Sequence, residues 1–422
     1  MIQRKLFKHL KIHLEHREIS LIIGPRQAGK TTLMFILKDF LQRQGARTLF
    51  LSLDLESDRP FFRSQAALVD KIRLEIGEGK GYVFIDEIQR KENAGLFLKG
   101  LYDLGLPYKI IVSGSDSVEL KEKIHESLIG RKRIFELNTI SFDEFVNFKT
   151  GYLYSQKLSD FFVVEKEKIE RFLNEYLAFG GYPRVVLETK SREKMLIMDD
   201  IYRSYLEKDI YYLLRIEKEE AFKNLIRILA SQIGKIINYS EFSSTLGIAV
   251  KTIKNYLWYA EKTFVVEKVT PYFRNIRKEI TKSPVYYFKD LGLRNYCLGL
   301  FGNLVSPSEM SFVFQNFVFN ILKDKLVYTP AELHFWRTKD KAEVDFIVNL
   351  GGELLPVEVK FKKLKKPVIG RSLRSFITRY KPRHAWIVNL SLSENVELNL
   401  TKIHFLPYYE LLFAPIPFLR TI

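Results

Sequence analysis

Cysteine is almost missing from this chain: Cys297 is the only one among 422 residues. A single thiol closes no internal disulfide and builds no cysteine-based zinc site, so a reducing compartment is the natural setting. Long apolar runs are missing as well. No stretch approaches the ~20 residues that cross a bilayer, and the apolar tail around Leu411–Leu419 is short and interrupted by Pro415 and Pro417. The opening segment has bases but no continuous apolar core of a secretory signal. A cytoplasmic protein without a membrane partner is expected. Internal repeats and low-complexity linkers are also lacking, so domain boundaries rest on changes of texture alone.

Acid is the remaining deficit. Asp and Glu number 50 against 67 Lys and Arg, a formal net charge of +17. That balance favours a polyanionic partner, nucleic acid first, although scattered surface lysines give the same sum. Hydrophobic residues at 46% and aromatics at 14% supply folded cores throughout. The length suits two to four domains.

Short apolar runs at Ile19–Ile23, Thr48–Leu53, Tyr82–Ile85, Lys109–Val112 and Arg133–Leu137 alternate with helix-period segments such as Thr31–Leu41 and Gln65–Ile76. Continuous runs of this kind predict parallel strands covered on both faces, an α/β nucleotide-binding architecture over residues 1–141. Residues 142–220 turn helical, charged and aromatic, interrupted by Phe179-Gly-Gly-Tyr-Pro183. Residues 221–283 read as a winged helix: a short helix after Asn238, a turn at Gly247, a second helix from Val250, and β texture over Phe264–Tyr272. Residues 284–422 mix a helix at Ser311–Leu326 with strands at Glu343–Val348 and Leu354–Phe361.

Gly24-Pro25-Arg26-Gln27-Ala28-Gly29-Lys30-Thr31 fulfils G-x-x-x-x-G-K-[ST] between an apolar strand and a helix, with Thr32 following. The glycines let backbone N–H groups face phosphates, and the helix adds its positive N-terminus. Lys30 is assigned to the β- and γ-phosphates of ATP, and the Thr31 hydroxyl to Mg2+. The apolar strand Tyr82–Ile85 ends in Asp86 and Glu87. At the carboxyl edge of a parallel sheet, Asp86 serves as magnesium ligand and Glu87 as general base for the attacking water. Ser115, and after it Ser113, are candidates to orient that water or sense the γ-phosphate, with a plain turn as the competing reading. Arg131, just before the last strand, reads either as an arginine finger acting in cis or in trans, or as half of an ion pair.

GPRQAGKTT, FIDEIQ, IIVSGSDS and LIGR, in this order, resemble the AAA+ family called AAA_14. Downstream, FGGYP, SYLEKDI, KSPVYYFKDLGL, FWRTKDKAEVDFIV and PVEVKF resemble the associated C-terminal domain DUF4143. The resemblance covers nearly the whole chain. It implies an ATPase with a P-loop sheet, a helical lid, a winged helix and a restriction-endonuclease-like α/β domain at the C-terminus.

In the winged-helix reading, Lys251, Thr252, Lys254 and Asn255 open the second helix and are suited to contact DNA. The competing reading is a protein-interaction module. In the last domain, Asp345 and Glu358-Val-Lys360 match the D…E-x-K core in which two acids hold magnesium. If Gly351-Gly352 is a two-residue turn, Asn349 pairs with Leu354 and Asp345 comes opposite Glu358. That register also sets Glu343 against Lys360 as an ordinary ion pair. The helix position from which the family commonly supplies a further acid is Gln315 here, a weaker magnesium ligand. Ten bases between Lys360 and Arg383, with no acid among them, favour nucleic acid. His9, His13 and His16 have the spacing of one helix face, which in principle holds a metal, but with no acid or cysteine to complete the site they read as surface residues. His125, His334, His384 and His404 form no metal-ligand spacing with each other. Homo-oligomerisation or a protein partner stays open.

Overall fold

The computed structural model describes residues 2–114, 127–206, 218–304 and 306–419. Strands β1 (Ile19–Ile23), β2 (Thr48–Ser52), β3 (Gly81–Asp86), β4 (Tyr108–Ser113) and β5 (Lys132–Glu136) form one parallel sheet in the order β2-β3-β4-β1-β5. Alternation along each strand feeds two cores. Ile19, Leu21, Ile23, Val83 and Ile85 enter one, with Leu68, Ile72 and Leu98 from the helices Gln65–Ile76 and Ala94–Asp103. Ile22, Tyr82, Phe84 and Phe135 enter the other, beneath Leu33, Met34, Leu37 and Leu41 of the helix Lys30–Arg43. A sheet buried on both faces has no solvent side, hence the unbroken apolar runs.

This sheet belongs to a unit made of Met1–Ile140, Tyr182–Glu219 and Trp258–Val265. At the amino-terminal edge of the sheet the structure corrects one expectation. His13 is buried beside Leu10 and Leu14, not on the surface. Its Nδ1 lies 2.7 Å from Ser20 Oγ and 3.2 Å from Lys109 Nζ.

The second unit comprises Ser141–Gly181, Glu220–Leu257 and Val266–Ile422. Phe142, Tyr176, Phe317 and Tyr408 pack edge-on and tilted in its core. The helices Glu219–Ser231, Tyr239–Leu246 and Val250–Lys262 follow one another before β6 (Val266–Val269), which pairs antiparallel with β7 (Val285–Phe288). Asn238 caps the second of these helices, and Gly247 ends it in the left-handed region.

A six-stranded mixed sheet holds β8 (Glu332–Arg337), β9 (Glu343–Leu350), β10 (Glu353–Val359), β11 (His384–Asn389), β12 (Glu394–Leu398) and β13 (Thr401–Pro407), in the order β12-β13-β11-β10-β9-β8. Gly351 and Gly352 both have positive φ, 58° and 97°, as a two-residue primed turn requires. The hairpin register is Leu350↔Glu353 and Asn349↔Leu354, as the sequence predicts. The helix Arg371–Tyr380 buries Leu373, Phe376 and Ile377 against this sheet. The helix Pro307–Leu326 sets Phe314 against Phe361 and Phe319 against Phe346.

Candidate active site

The phosphate loop leaves β1 where the backbone has no room for a side chain. Gly24 has φ +150°, and a Cβ there would lie 2.1 Å from the carbonyl oxygen of Leu137. Gly29, at φ +93°, turns the chain into the helix that starts at Lys30. The N–H groups of a helix's first turn have no partner within the helix, so they face the loop's concavity as anion donors. Lys30 is buried, and its Nζ donates to the carbonyls of Gly24 and Pro25 at 2.8 and 2.9 Å. Thr31 Oγ1 donates to Asp86 Oδ2 at 2.9 Å.

Strand β4 separates the loop strand β1 from the acid strand β3. It brings Ser113 between them: the Ser113 hydroxyl donates to Asp86 Oδ1 and accepts from the Glu87 N–H at 3.3 Å. Glu87 is held in the left-handed region at φ 57° and accepts from Gln89. Ser115 lies outside the described residues.

These groups open onto a cavity of about 570 Å3, a size suited to a nucleotide-sized ligand. Arg26–Thr32 and Glu87 line it, and so do Pro183, Arg184, Leu187 and Ser204 from the second segment of the unit. Arg184 Nη1 donates to Gln27 Oε1 at 3.1 Å. Arg4, which also lines the cavity, ties the loop down by donating to the carbonyls of Ala28, Asn138 and Thr139 at 3.0, 2.6 and 3.2 Å. Sequence reading misses Arg4 and Arg184, because neither stands in a motif nor near the loop along the chain.

Arg131 does not join this site. Its carbonyl accepts from the N–H of Ile19, the first residue of β1, so it stands at the edge of the sheet opposite the loop. Its guanidinium grips Asp103 with Nε 2.8 Å and Nη2 3.4 Å from the two carboxylate oxygens. Of the two readings of Arg131, the ion pair is the one present.

In the second unit, Asp345, Glu358 and Lys360 come together. Asp345 Oδ2 accepts from the Val359 N–H at 2.7 Å, and Oδ1 accepts from Gln315 Nε2 at 3.0 Å. Gln315 also donates to Tyr287 Oη at 3.1 Å. Burial pushes the Asp345 carboxyl up to about 7, against the pull of the Val359 N–H and with Glu358 adding to the rise. Glu358 is buried; one oxygen pairs with Lys360, and the other, Oε2, has no hydrogen-bond partner. The expected Glu343–Lys360 pair is absent, because Lys360 turns to Glu358 and Glu343 pairs with Arg337 at 3.6 Å. Glu309 is engaged by the buried Arg294 at 2.7 Å.

Lys251, Lys254 and Asn255 are exposed and Thr252 half-buried, while Ile253, Tyr256 and Leu257 form the buried face of their helix. The ten bases from Lys360 to Arg383 are all exposed, and Lys363 pairs with Glu170 at 2.8 Å.

Residues 16–146 match the family model of an AAA domain, and residues 310–411 match a domain of unknown function, DUF4143. The chain joins an AAA domain to a DUF4143 domain. Between them, residues 170–304 match a further domain of unknown function, DUF8612; it takes in FGGYP, SYLEKDI and KSPVYYFKDLGL, which the sequence reading assigned to DUF4143. An uncharacterized protein of Mycobacterium tuberculosis is 27% identical over 88% of this chain and 76% of its own length. One of Haemophilus influenzae is 26% identical over 86% and 87%, and one of Methanocaldococcus jannaschii 28% over 81% and 74%. Among solved structures, Cdc6p from Pyrobaculum aerophilum aligns with 71% of this chain and 96% of its own at 11% identity and TM-score 0.29. A replication initiator DnaA bound to AMPPCP and single-stranded DNA aligns over 62% and 90%, at 15% identity and TM-score 0.29. Superpositions of that quality carry no functional weight. The AAA domain is thus supported by the family match and by the parallel sheet with its phosphate loop. Among the described residues no helix is long and apolar enough to cross a membrane.

Proposed function

We propose that this AAA–DUF4143 protein is a magnesium-dependent ATPase whose nucleotide cycle is coupled to binding nucleic acid, DNA before RNA. One observation carries the nucleotide part: Thr31, in the phosphate loop that lines the cavity, donates to Asp86 at 2.9 Å. A hydroxyl and a carboxylate in contact suit a hard divalent ion, and Mg2+ bound there would neutralise charge on the β- and γ-phosphates. The loop amides orient the triphosphate, Lys30 exchanges its carbonyl partners for phosphate oxygens, and Glu87 takes the proton of the attacking water. Ser113 fixes both acids relative to each other.

The nucleic-acid part rests on charge. A net +17, ten exposed bases from Lys360 to Arg383, and Lys251, Lys254 and Asn255 exposed at the start of one helix supply phosphate contacts. The three-helix run followed by the β6–β7 pair supports the winged-helix reading, and the mixed sheet bearing Asp345, Glu358 and Lys360 supports the nuclease-like one. The test is ATP turnover by wild type and Lys30→Ala, each titrated with single-stranded, duplex and branched DNA. Stimulation that disappears at high salt is the expected result. Turnover indifferent to every DNA form removes the coupling.

Gln315 favours a second reading, a nucleotide-controlled switch that binds a partner protein and keeps an inactive nuclease-like domain. Its amide occupies Asp345 where a third acid would strengthen metal binding. Slow turnover, tightly retained nucleotide and no DNA binding at physiological salt support this reading. Cleavage of DNA that is lost in Asp345→Ala refutes it.

A further inference from the structure

Spacing along the chain hides what the fold does with His334. This side chain, on β8, is 3% exposed. Its Nδ1 lies 3.1 Å from Thr270 Oγ1 and 3.7 Å from Glu279 Oε1, while Nε2 is buried without a hydrogen-bond partner. Glu332 Oε2 stands 3.4 Å from that nitrogen. One ligand atom from each of Glu279, Glu332 and His334 lies within 4.8 Å of the others. We propose that these three residues bind a divalent transition ion of the zinc class, at a site separate from both acid pairs described above.

With its proton on Nδ1, His334 would donate to Thr270, the kind of outer partner that fixes the tautomer of a ligating imidazole. Nε2 then holds a lone pair facing a carboxylate oxygen, two acceptors with no hydrogen between them, an arrangement that costs free energy unless a cation intervenes. The separation fits one. Nitrogen and oxygen ligands ~2.1 Å from an ion at the tetrahedral angle stand about 3.4 Å apart. Glu279 is mostly buried on the Nδ1 side of the ring and reaches the ion as third ligand by turning its carboxylate, and the exposed Glu332 leaves a side open to solvent where water completes the shell. Imidazole with two carboxylates selects zinc over magnesium, which prefers oxygen alone and keeps its waters.

The ion would join the helix Ile276–Thr281, which lies between β6 and β7, to the edge strand β8. Backbone bonds already link the same pieces: the N–H of Tyr272 donates to Phe335 O, and that of Phe335 to Thr270 O. The role is therefore structural, a clip on an exposed excursion of the chain.

The test is titration of the full-length protein, free of nucleotide, with Co2+ followed by visible absorption. One equivalent of ligand-field absorption is expected, displaced by Zn2+ but not by Mg2+, and retained in Asp345→Asn. Glu332→Gln alters an exposed position and leaves the fold intact, which its metal-free melting curve checks; it is expected to weaken Co2+ at least tenfold. His334→Gln is expected to do the same. Absence of the band, or an undiminished band in Glu332→Gln, overturns the proposal and leaves His334 in an ordinary ion pair.

Discussion

Thr31 and Asp86, 55 positions apart in the chain, share a hydrogen bond of 2.9 Å across the gap between two strands that are not neighbours. Their contact brings the two proposed magnesium ligands to one point. Lys30→Ala is expected to lower ATP turnover by at least ~100-fold through loss of charge at the phosphates. Glu87→Gln is expected to keep nucleotide binding while losing ~100-fold or more in turnover. Calorimetry with ATP and Mg2+, beside phosphate release, separates the two effects. Equal losses of binding in both variants would remove Glu87 from the role of base.

Gly24 tests the loop by shape. A methyl group there meets the Leu137 carbonyl at 2.1 Å, and φ is +150°. Gly24→Ala is expected to destabilise the protein by at least about 2 kcal/mol, since backbone rather than a yielding side chain must move. Urea denaturation measures it. A midpoint equal to wild type would mean that the loop relaxes freely.

Arg131→Ala is expected to leave turnover unchanged, because its Asp103 pair sits at the far edge of the sheet. If turnover collapses while the melting temperature holds, the side chain acts on another copy's site. Turnover at several protein concentrations shows which holds.

Gln315→Glu restores an acid beside Asp345. Divalent-ion affinity at the C-terminal acids is expected to rise roughly tenfold as a neutral amide becomes a charged ligand. Mn2+ calorimetry reads it, with Asp345→Ala as reference. An unchanged affinity would mean that Gln315 does not face the ion.

His13 carries a pH dependence. Burial first, then Lys109, Arg133 and His16, push its pKa down to about 4, with Glu18 opposing. The unfolded chain takes up this proton near 6.5, the fold only near 4. Stability is therefore lost as pH falls from about 6.5 toward 4. His13→Gln is expected to flatten that slope in melts at pH 7 and pH 5. An unaltered slope would place the acid sensitivity elsewhere.

Motif and register were readable before any coordinates, and long-range neighbours were not. Gly24 to Thr31 and Asp86-Glu87 are legible because the motif is local and both stretches fall at strand ends, where the proposed phosphate and magnesium sites need those residue types. Gly351-Gly352 fixes its hairpin by local geometry. Arg131 reads two ways from sequence, and its position favours the ion pair: a residue preceding a parallel strand lies at the edge away from the phosphate loop. His13 had a clue too, standing three residues after Leu10 on the apolar side of its helix. For Arg4 and Arg184 there was none, since their partners come from distant segments; in the His334 cluster Glu332 stands two residues away on the same strand, but Glu279 comes from a separate helix and leaves no period behind.

The nucleotide-binding unit is not one stretch of chain. Pro183, Arg184, Leu187 and Ser204, which wall the cavity, are made after the helices of the other unit have begun. A fragment ending near residue 140 would keep the motif and lack part of its wall. On the ribosome, the pocket stays unfinished until translation is well past the sheet, so substrate cannot template the early stages of folding. The AAA half of this molecule is not a detachable cassette; moving it to another protein means carrying the interleaved segments along.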